Sequence, residues 1–170
     1  MLASGAASDL YVDAKLTTQD PDGALLVGRV GWALLKRTAA ARAITVEAVG
    51  GLTMGADPIS LSIGISSRLD DSESTLQTFS VRKSAKAYGR TKLIEGNFSA
   101  GNTVVVIDDV VTTGGSTLQA IEAIEKEGGK IAFVIALVDR EEGGRGKIEE
   151  RGYEVQPIFT RADLLGCSTE

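Results

Sequence analysis

The chain contains no histidine and a single cysteine, Cys167. Without an imidazole base, a Ser-His-Asp arrangement within this chain is excluded. One cysteine permits no intrachain disulfide. The two shortages together argue against a zinc centre, whose ligands are chiefly cysteine and histidine. No apolar run approaches the ~20 residues that span a bilayer. The opening MLASGAASDL lacks the basic stretch and apolar core of a signal peptide. A basic stripe is missing as well: the formal net charge is −5, with the acids spread along the sequence. A nucleic-acid-binding face needs clustered cations, whereas a small anionic ligand needs only a local pocket. There is no internal repeat and no low-complexity block.

The composition that is present is that of a globular protein: 170 residues, 43% hydrophobic and 24% charged. One domain is the expectation at this length, with enough chain to bury a core without staples. Residues 21–41 open on Pro21 and carry Leu25, Leu26, Val30, Leu34 and Leu35, which predicts a helix with these five as its apolar stripe. Residues 44–51 read as a short strand ending in two glycines, 57–69 as a helix with proline in its first turn, and 75–82 as a strand with Phe79 and Val81 on one face. The stretch 82–97 is basic, polar and glycine-containing and reads as a mobile loop. A strand follows at 103–109. An amphipathic helix over 116–130 buries Leu118, Ile121 and Ile124 and is stopped by Gly128 and Gly129. Residues 131–140 form a continuously apolar strand, and 147–165 a short helix, an edge strand and a final turn. Apolar strands alternating with helices predict an α/β fold with a parallel sheet flanked by helices. In such sheets ligands sit at the carboxyl ends of the strands.

The segment VVVIDDVVTTGGST, residues 104–117, lies at one such end. Gly114 and Gly115 let a ligand approach the backbone closely, and Thr112, Thr113, Ser116 and Thr117 add hydroxyl donors. With the positive end of the helix that follows, these residues make a cradle of phosphate size. A Walker A loop it is not, since the GK[ST] ending is missing. Asp108 and Asp109 would repel a phosphate, so they should face sugar hydroxyls or a magnesium-bearing substrate.

The same segment resembles the signature of type I phosphoribosyltransferases, which bind phosphoribosyl pyrophosphate (PRPP). The resemblance implies that Thr112 to Thr117 hold the 5′-phosphate and that Asp108 and Asp109 meet the ribose hydroxyls. Four further stretches resemble the orotate-specific branch. VRKSAKAYGRTKLIEG, residues 81–96, is similar to its mobile catalytic loop and the strand that follows, with Arg82, Lys83 and Lys86 at the basic positions. AVGGLTMGADPI, residues 48–59, resembles the segment after the first core strand. LVDREEGG, residues 137–144, resembles the strand end whose arginine contacts the orotate carboxylate, here Arg140. DLYVDAKLTT, residues 9–18, resembles an N-terminal hood over the substrate, with Lys15 approaching it.

Taken whole, the resemblance implies one phosphoribosyltransferase domain over 1–170, with roughly residues 1–20 as the hood. It implies PRPP and orotate as substrates and Mg2+ as cofactor, held mainly by PRPP and water. A cytoplasmic homodimer is implied too, whose 82–96 loop completes the neighbouring site, with no nucleic-acid or membrane partner. Several fixed cations suit an anionic base and a highly charged leaving group. One departure stands out: Tyr88 occupies the place of the loop histidine, and a phenol is neutral near pH 7. Arg90 and Lys92 lie close by in sequence. Two alternatives stay open on these grounds: a phosphoribosyltransferase for another nucleobase, and a PRPP-binding regulatory paralogue with weak or no catalysis.

Overall fold

The computed structural model describes residues 11–74, 76–84 and 93–166. Helix α1 spans Lys15–Thr18 and α2 spans Pro21–Ala41. The start of α2 is set locally. Pro21 needs no N–H partner in the first turn, and the Asp20 carboxylate accepts from the N–H groups of Asp22 and Gly23 at 3.0 and 2.9 Å. Strand β1 (Ala48–Leu52), helix α3 (Ala56–Asp70), strand β2 (Gln77–Val81) and strand β3 (Ile94–Gly96) follow. Then come β4 (Thr103–Val111), α4 (Gly115–Lys126), β5 (Lys130–Asp139), α5 (Gly144–Glu150), β6 (Val155–Thr160) and α6 (Arg161–Gly166).

The strands form one sheet in the order β3-β2-β1-β4-β5-β6, parallel throughout except for β3, which runs antiparallel to β2. Part of the stretch expected to be loop is therefore strand: Glu95 pairs with Ser80 and Ile94 with Val81. β6 is an edge, which tolerates Pro157 because no neighbour needs its missing N–H. The alternating side chains of β4 serve two cores. Val104 and Val106 pack with Ile121, Ile124 and Ile148, whereas Val105 and Ile107 pack with Ile59, Ile63 and Leu35. All four β4 residues are at most 1% exposed. That explains an apolar run without alternation, and each such side chain stabilises the fold by roughly 1.5–3 kcal/mol. Chain order reverses between β1 and β4, so α3 and α4 leave the sheet on opposite faces. The crevice between their starts is where a ligand site is expected in such folds.

The buried face of α2 keeps only Leu34 and Leu35 of the stripe expected from its sequence. Leu25, Leu26 and Val30 are exposed, and the inward residues are Val27, Gly28, Gly31, Leu34, Leu35 and Thr38. The reason is close helix packing. A Cβ on Gly28 would lie 2.5 Å from the Ser62 carbonyl oxygen, and one on Gly31 2.7 Å from Ile63 Cδ1. The glycines thus mark the α2–α3 contact, and the apolar stripe is rotated away from it. On α4 the expectation holds: Ile121 and Ile124 are fully buried, with Leu118 packed beside them. Among the described residues no helix is long and apolar enough to cross a membrane.

Gly28→Ala should wedge α2 from α3. Overpacking of this kind destabilises by about 1–3 kcal/mol. Urea unfolding of the variant against the parent chain measures it.

Candidate active site

Two like charges side by side on β4 start out on opposite faces of the strand, yet their carboxyls stay close enough to interact by charge and hydrogen bond, and both border one cleft. Successive side chains leave a strand on opposite faces. Asp108 follows Val104 and Val106 to the α4 side, where the Thr117 hydroxyl donates to its Oδ2 at 2.5 Å. Both residues are buried, at 7% and 1% exposed. Burial, above all, pushes the Asp108 carboxyl up to about 7; the Thr117 hydroxyl opposes that rise and the neighbouring Asp109 charge adds to it. Asp109 turns to the α3 side. It is half-buried, its Oδ1 accepts from the Val110 N–H at 3.0 Å, and its carboxylate lies against Gly55 at the start of α3.

Beyond β4 the hydroxyl and glycine residues make the turn into α4. Gly114 takes φ +79°, and a Cβ there would stand 2.8 Å from the Gly144 carbonyl oxygen. Gly144 in turn donates its N–H to the Thr112 carbonyl at 2.9 Å, and a Cβ on it would strike that carbonyl. The start of α5 therefore buttresses the loop from behind. Its open side is Gly115, where an added Cβ would meet nothing nearer than Thr113 Oγ1 at 3.9 Å. The first-turn N–H groups of α4 have no acceptor within the helix, so an anion can be held there.

These elements frame a cleft of about 660 Å³. Asp108, Asp109 and Ser116 form one wall. Thr53, Met54 and Gly55, in the turn from β1 to α3, form another; the Thr53–Met54 peptide is cis. Among the described residues three cations border it, namely Lys15 on α1 and Arg82 and Lys83 beyond β2. Arg82 is fixed at the root of the 82–96 loop, its N–H donating to the Leu93 carbonyl at 2.8 Å. Its guanidinium meets Glu95, which also borders the cleft, at 2.9 Å. The Lys83 carbonyl accepts from Gln119 on α4 at 2.9 Å.

Of the expected residues, Lys15, Arg82, Lys83, Asp108, Asp109 and Ser116 converge on the cleft, while Thr112, Thr113, Gly114 and Gly115 form the turn beside it and do not border it. Thr117 and Arg140 are turned to other partners. The Thr117 hydroxyl is turned inward to Asp108 and away from the cleft, because the α4 face buries it. Arg140 does not border the cleft: it is 6% exposed, its guanidinium meets Glu142 at 2.7 Å, and its N–H donates to the Val111 carbonyl at 3.0 Å. Lys86, Tyr88, Arg90 and Lys92 lie outside the described residues. The sequence reading assigned no site role to Gly55, Glu95 or Gly144. The glycines of LTMG and EEGG were visible as punctuation, but nothing in their spacing pointed to Asp109 or to the Thr112–Gly115 loop. Among the described residues no group of three or more acids or cysteines is placed to hold a metal ion.

An open turn at a helix start, beside a pair of carboxylates and cations on one cleft, suits a phosphorylated sugar, the kind of ligand a phosphoribosyltransferase takes. In agreement, the model of the phosphoribosyl transferase domain family matches residues 57–159. The chain is 42% identical over 164 residues to the orotate phosphoribosyltransferase of Aquifex aeolicus, covering 96% of this chain and 85% of that one. To the enzyme of Rhodopirellula baltica it is 37% identical, covering 96% and 83%. The crystal structure of Mycobacterium tuberculosis orotate phosphoribosyltransferase in complex with PRPP superposes with a TM-score of 0.74 at 34% identity, covering 91% of this chain and 83% of that one. The chain belongs to the orotate phosphoribosyltransferase family.

The Asp108 carboxyl has an observable consequence. The folded state keeps its proton up to about 7, against 3.8 for the ordinary carboxyl. Within that window the folded chain binds more protons than the unfolded one, so this group's contribution falls as pH rises. Asp108→Asn cannot titrate. Its melting temperature relative to the parent should therefore climb between pH 4 and pH 8, over the window those values set. Thermal melts across that range check it, and parallel profiles would remove the assignment.

Proposed function

We propose that the chain transfers the phosphoribosyl group of PRPP to orotate, giving orotidine 5′-monophosphate and pyrophosphate. The observation that carries this reading is one cleft bordered by the Asp108–Asp109 pair, by Ser116 of the donor-rich turn and, among the described residues, by the cations Lys15, Arg82 and Lys83. Those groups suit a ligand that carries a phosphate, a diol and a pyrophosphate. Relatives 42% and 37% identical to this chain are named orotate phosphoribosyltransferases.

In this reading the turn Thr112–Thr117 takes the 5′-phosphate, by its backbone N–H groups and the hydroxyls of Thr112, Thr113 and Ser116. The Asp109 carboxylate accepts from a ribose hydroxyl. Asp108, lower in the wall, accepts another and loses its proton as the ligand binds. The bond from ribose C1 to pyrophosphate breaks and a ring nitrogen of orotate forms the new bond, so positive charge grows on the sugar while negative charge leaves. Both carboxylates favour the first change. Arg82, Lys83 and Lys86 favour the second, and fixed charges aimed at a developing charge are commonly the largest catalytic term. For pyrophosphate to hold Arg82 it must displace Glu95. Lys15, which borders the same cleft from α1, meets the orotate carboxylate in this reading. Arg140 reaches the base only by leaving Glu142. Mg2+ is brought by PRPP, and the hard oxygens of Asp108 and Asp109 fit an ion that keeps most of its own water; its part is to neutralise charge on the pyrophosphate.

The homodimer belongs to the same proposal. Leu61, Ile65 and Leu69 stand at one-turn spacing along α3 and are 56%, 51% and 74% exposed. An exposed apolar stripe of this kind marks a contact surface. Leu61 shares a hollow with Glu95 and Gly96 at the root of the 82–96 loop. A second copy seated on that stripe would lie close enough to exchange loops.

The test is an assay of orotate with PRPP and Mg2+, read by loss of orotate absorbance, beside a panel of other bases. Turnover on orotate alone is expected. Turnover on another base, or PRPP binding with none, would replace the reading, the latter in favour of the paralogue that Tyr88 suggests. Lys86→Ala should still bind PRPP and lose about a hundredfold in turnover, as expected for a removed charge-stabilising donor. Ile65→Glu should elute as a monomer on size exclusion and lose turnover with it.

A further inference from the structure

We propose that Gly55 is a positioning residue for the reaction, acting through Asp109; the proposal rests on the phosphoribosyl reading of the cleft. Gly55 has φ −64° and ψ −41°, helical values open to any residue. The backbone therefore does not require glycine. Nor does the helix start, which takes no side-chain cap hydrogen bond at this position. The requirement is space. A Cβ on Gly55 would lie 2.4 Å from Asp109 Cγ, 2.4 Å from Oδ1 and 2.5 Å from Oδ2. Every heavy atom of the carboxylate is in the way, and atoms that close must move. Thr117 locks Asp108 from the opposite side. Asp109 has the Val110 N–H and the bare face of Gly55. A methyl group at position 55 forces the Asp109 side chain to turn, and the carboxylate leaves the place from which it meets the ribose.

The experiment compares Gly55→Ala in two backgrounds, the parent chain and Asp109→Ala, where there is no carboxylate to displace. In the parent background kcat/KM for PRPP should fall about a hundredfold, the scale of a misplacement near 1 Å, with KM for orotate unchanged. PRPP affinity by calorimetry should fall in parallel. In the Asp109→Ala background the same substitution should change neither PRPP affinity nor melting temperature further, since two changes on one contact do not add. Melting temperature needs no activity, so the comparison stands even where Asp109→Ala is inactive or Gly55→Ala is poorly folded. Gly55→Ala behaving as the parent, or acting with full force without the Asp109 carboxylate, overturns the proposal. The parent chain turning over a base other than orotate defeats the orotate reading and leaves the PRPP measurements on Gly55 valid. Failure of the parent to bind PRPP at all overturns both.

Discussion

Two carboxylates joined by one peptide bond cannot share a pocket at close range without one of them taking up a proton. The site depends on how the fold answers that constraint. The pleat of β4 sends Asp108 under α4 and Asp109 against the start of α3. The acids become inequivalent: one is buried and hydrogen-bonded to Thr117, with its carboxyl pushed up by burial, and the other is half-open to the cleft. That split is possible because β4 sits at the point where chain order reverses. Helices that begin on opposite faces of the sheet then meet the end of one strand.

The second constraint is charge. The protein is acidic overall, yet its cleft is bordered by Lys15, Arg82 and Lys83. Cations near an anion site must be held apart from the local acids or lent to them. Arg82 is lent to Glu95, across the short β2–β3 pairing, and Arg140 to Glu142. At 34% and 47% side-chain exposure the Arg82–Glu95 pair is partly solvated, and ion pairs in such settings contribute little, roughly 0–1 kcal/mol. A multiply charged pyrophosphate can displace Glu95 at small cost. The weakness of the pair suits a site that must bind and release such a group.

Small residues are the third element, and each has a neighbour that explains it. Gly114 and Gly144 bring the turn before α4 against α5, Gly55 leaves room for Asp109, and Gly28 and Gly31 let α2 lie on α3. Where backbone approaches backbone this closely, the packing carries the geometry of the site. The cores on both faces of the sheet hold those backbones still.

The run VVVI, the paired acids and the glycine-hydroxyl turn were legible from the order of residues alone. So were the buried strands, the capped start of α2 and the amphipathic α4, because each follows from local periodicity or a local cap. The tertiary structure decided what depends on neighbours distant in sequence. The leucines of α2 form a stripe at helical spacing, but α3 packs on the glycine face, so Leu25, Leu26 and Val30 stay outside. Ile94–Gly96 had too few residues to signal a strand, and only β2 beside it makes it one. Thr117 reads as one more phosphate donor until Asp108 is seen to claim its hydroxyl, and Arg140 reads as a contact for the orotate carboxylate until its ion pair with Glu142 and its place away from the cleft are seen. Gly55 has no local signal, because its role is a space left for a side chain more than fifty positions away in the chain. Residue order can specify which groups carry the chemistry. Which of them face one another is settled by how two helices and a strand end meet in space.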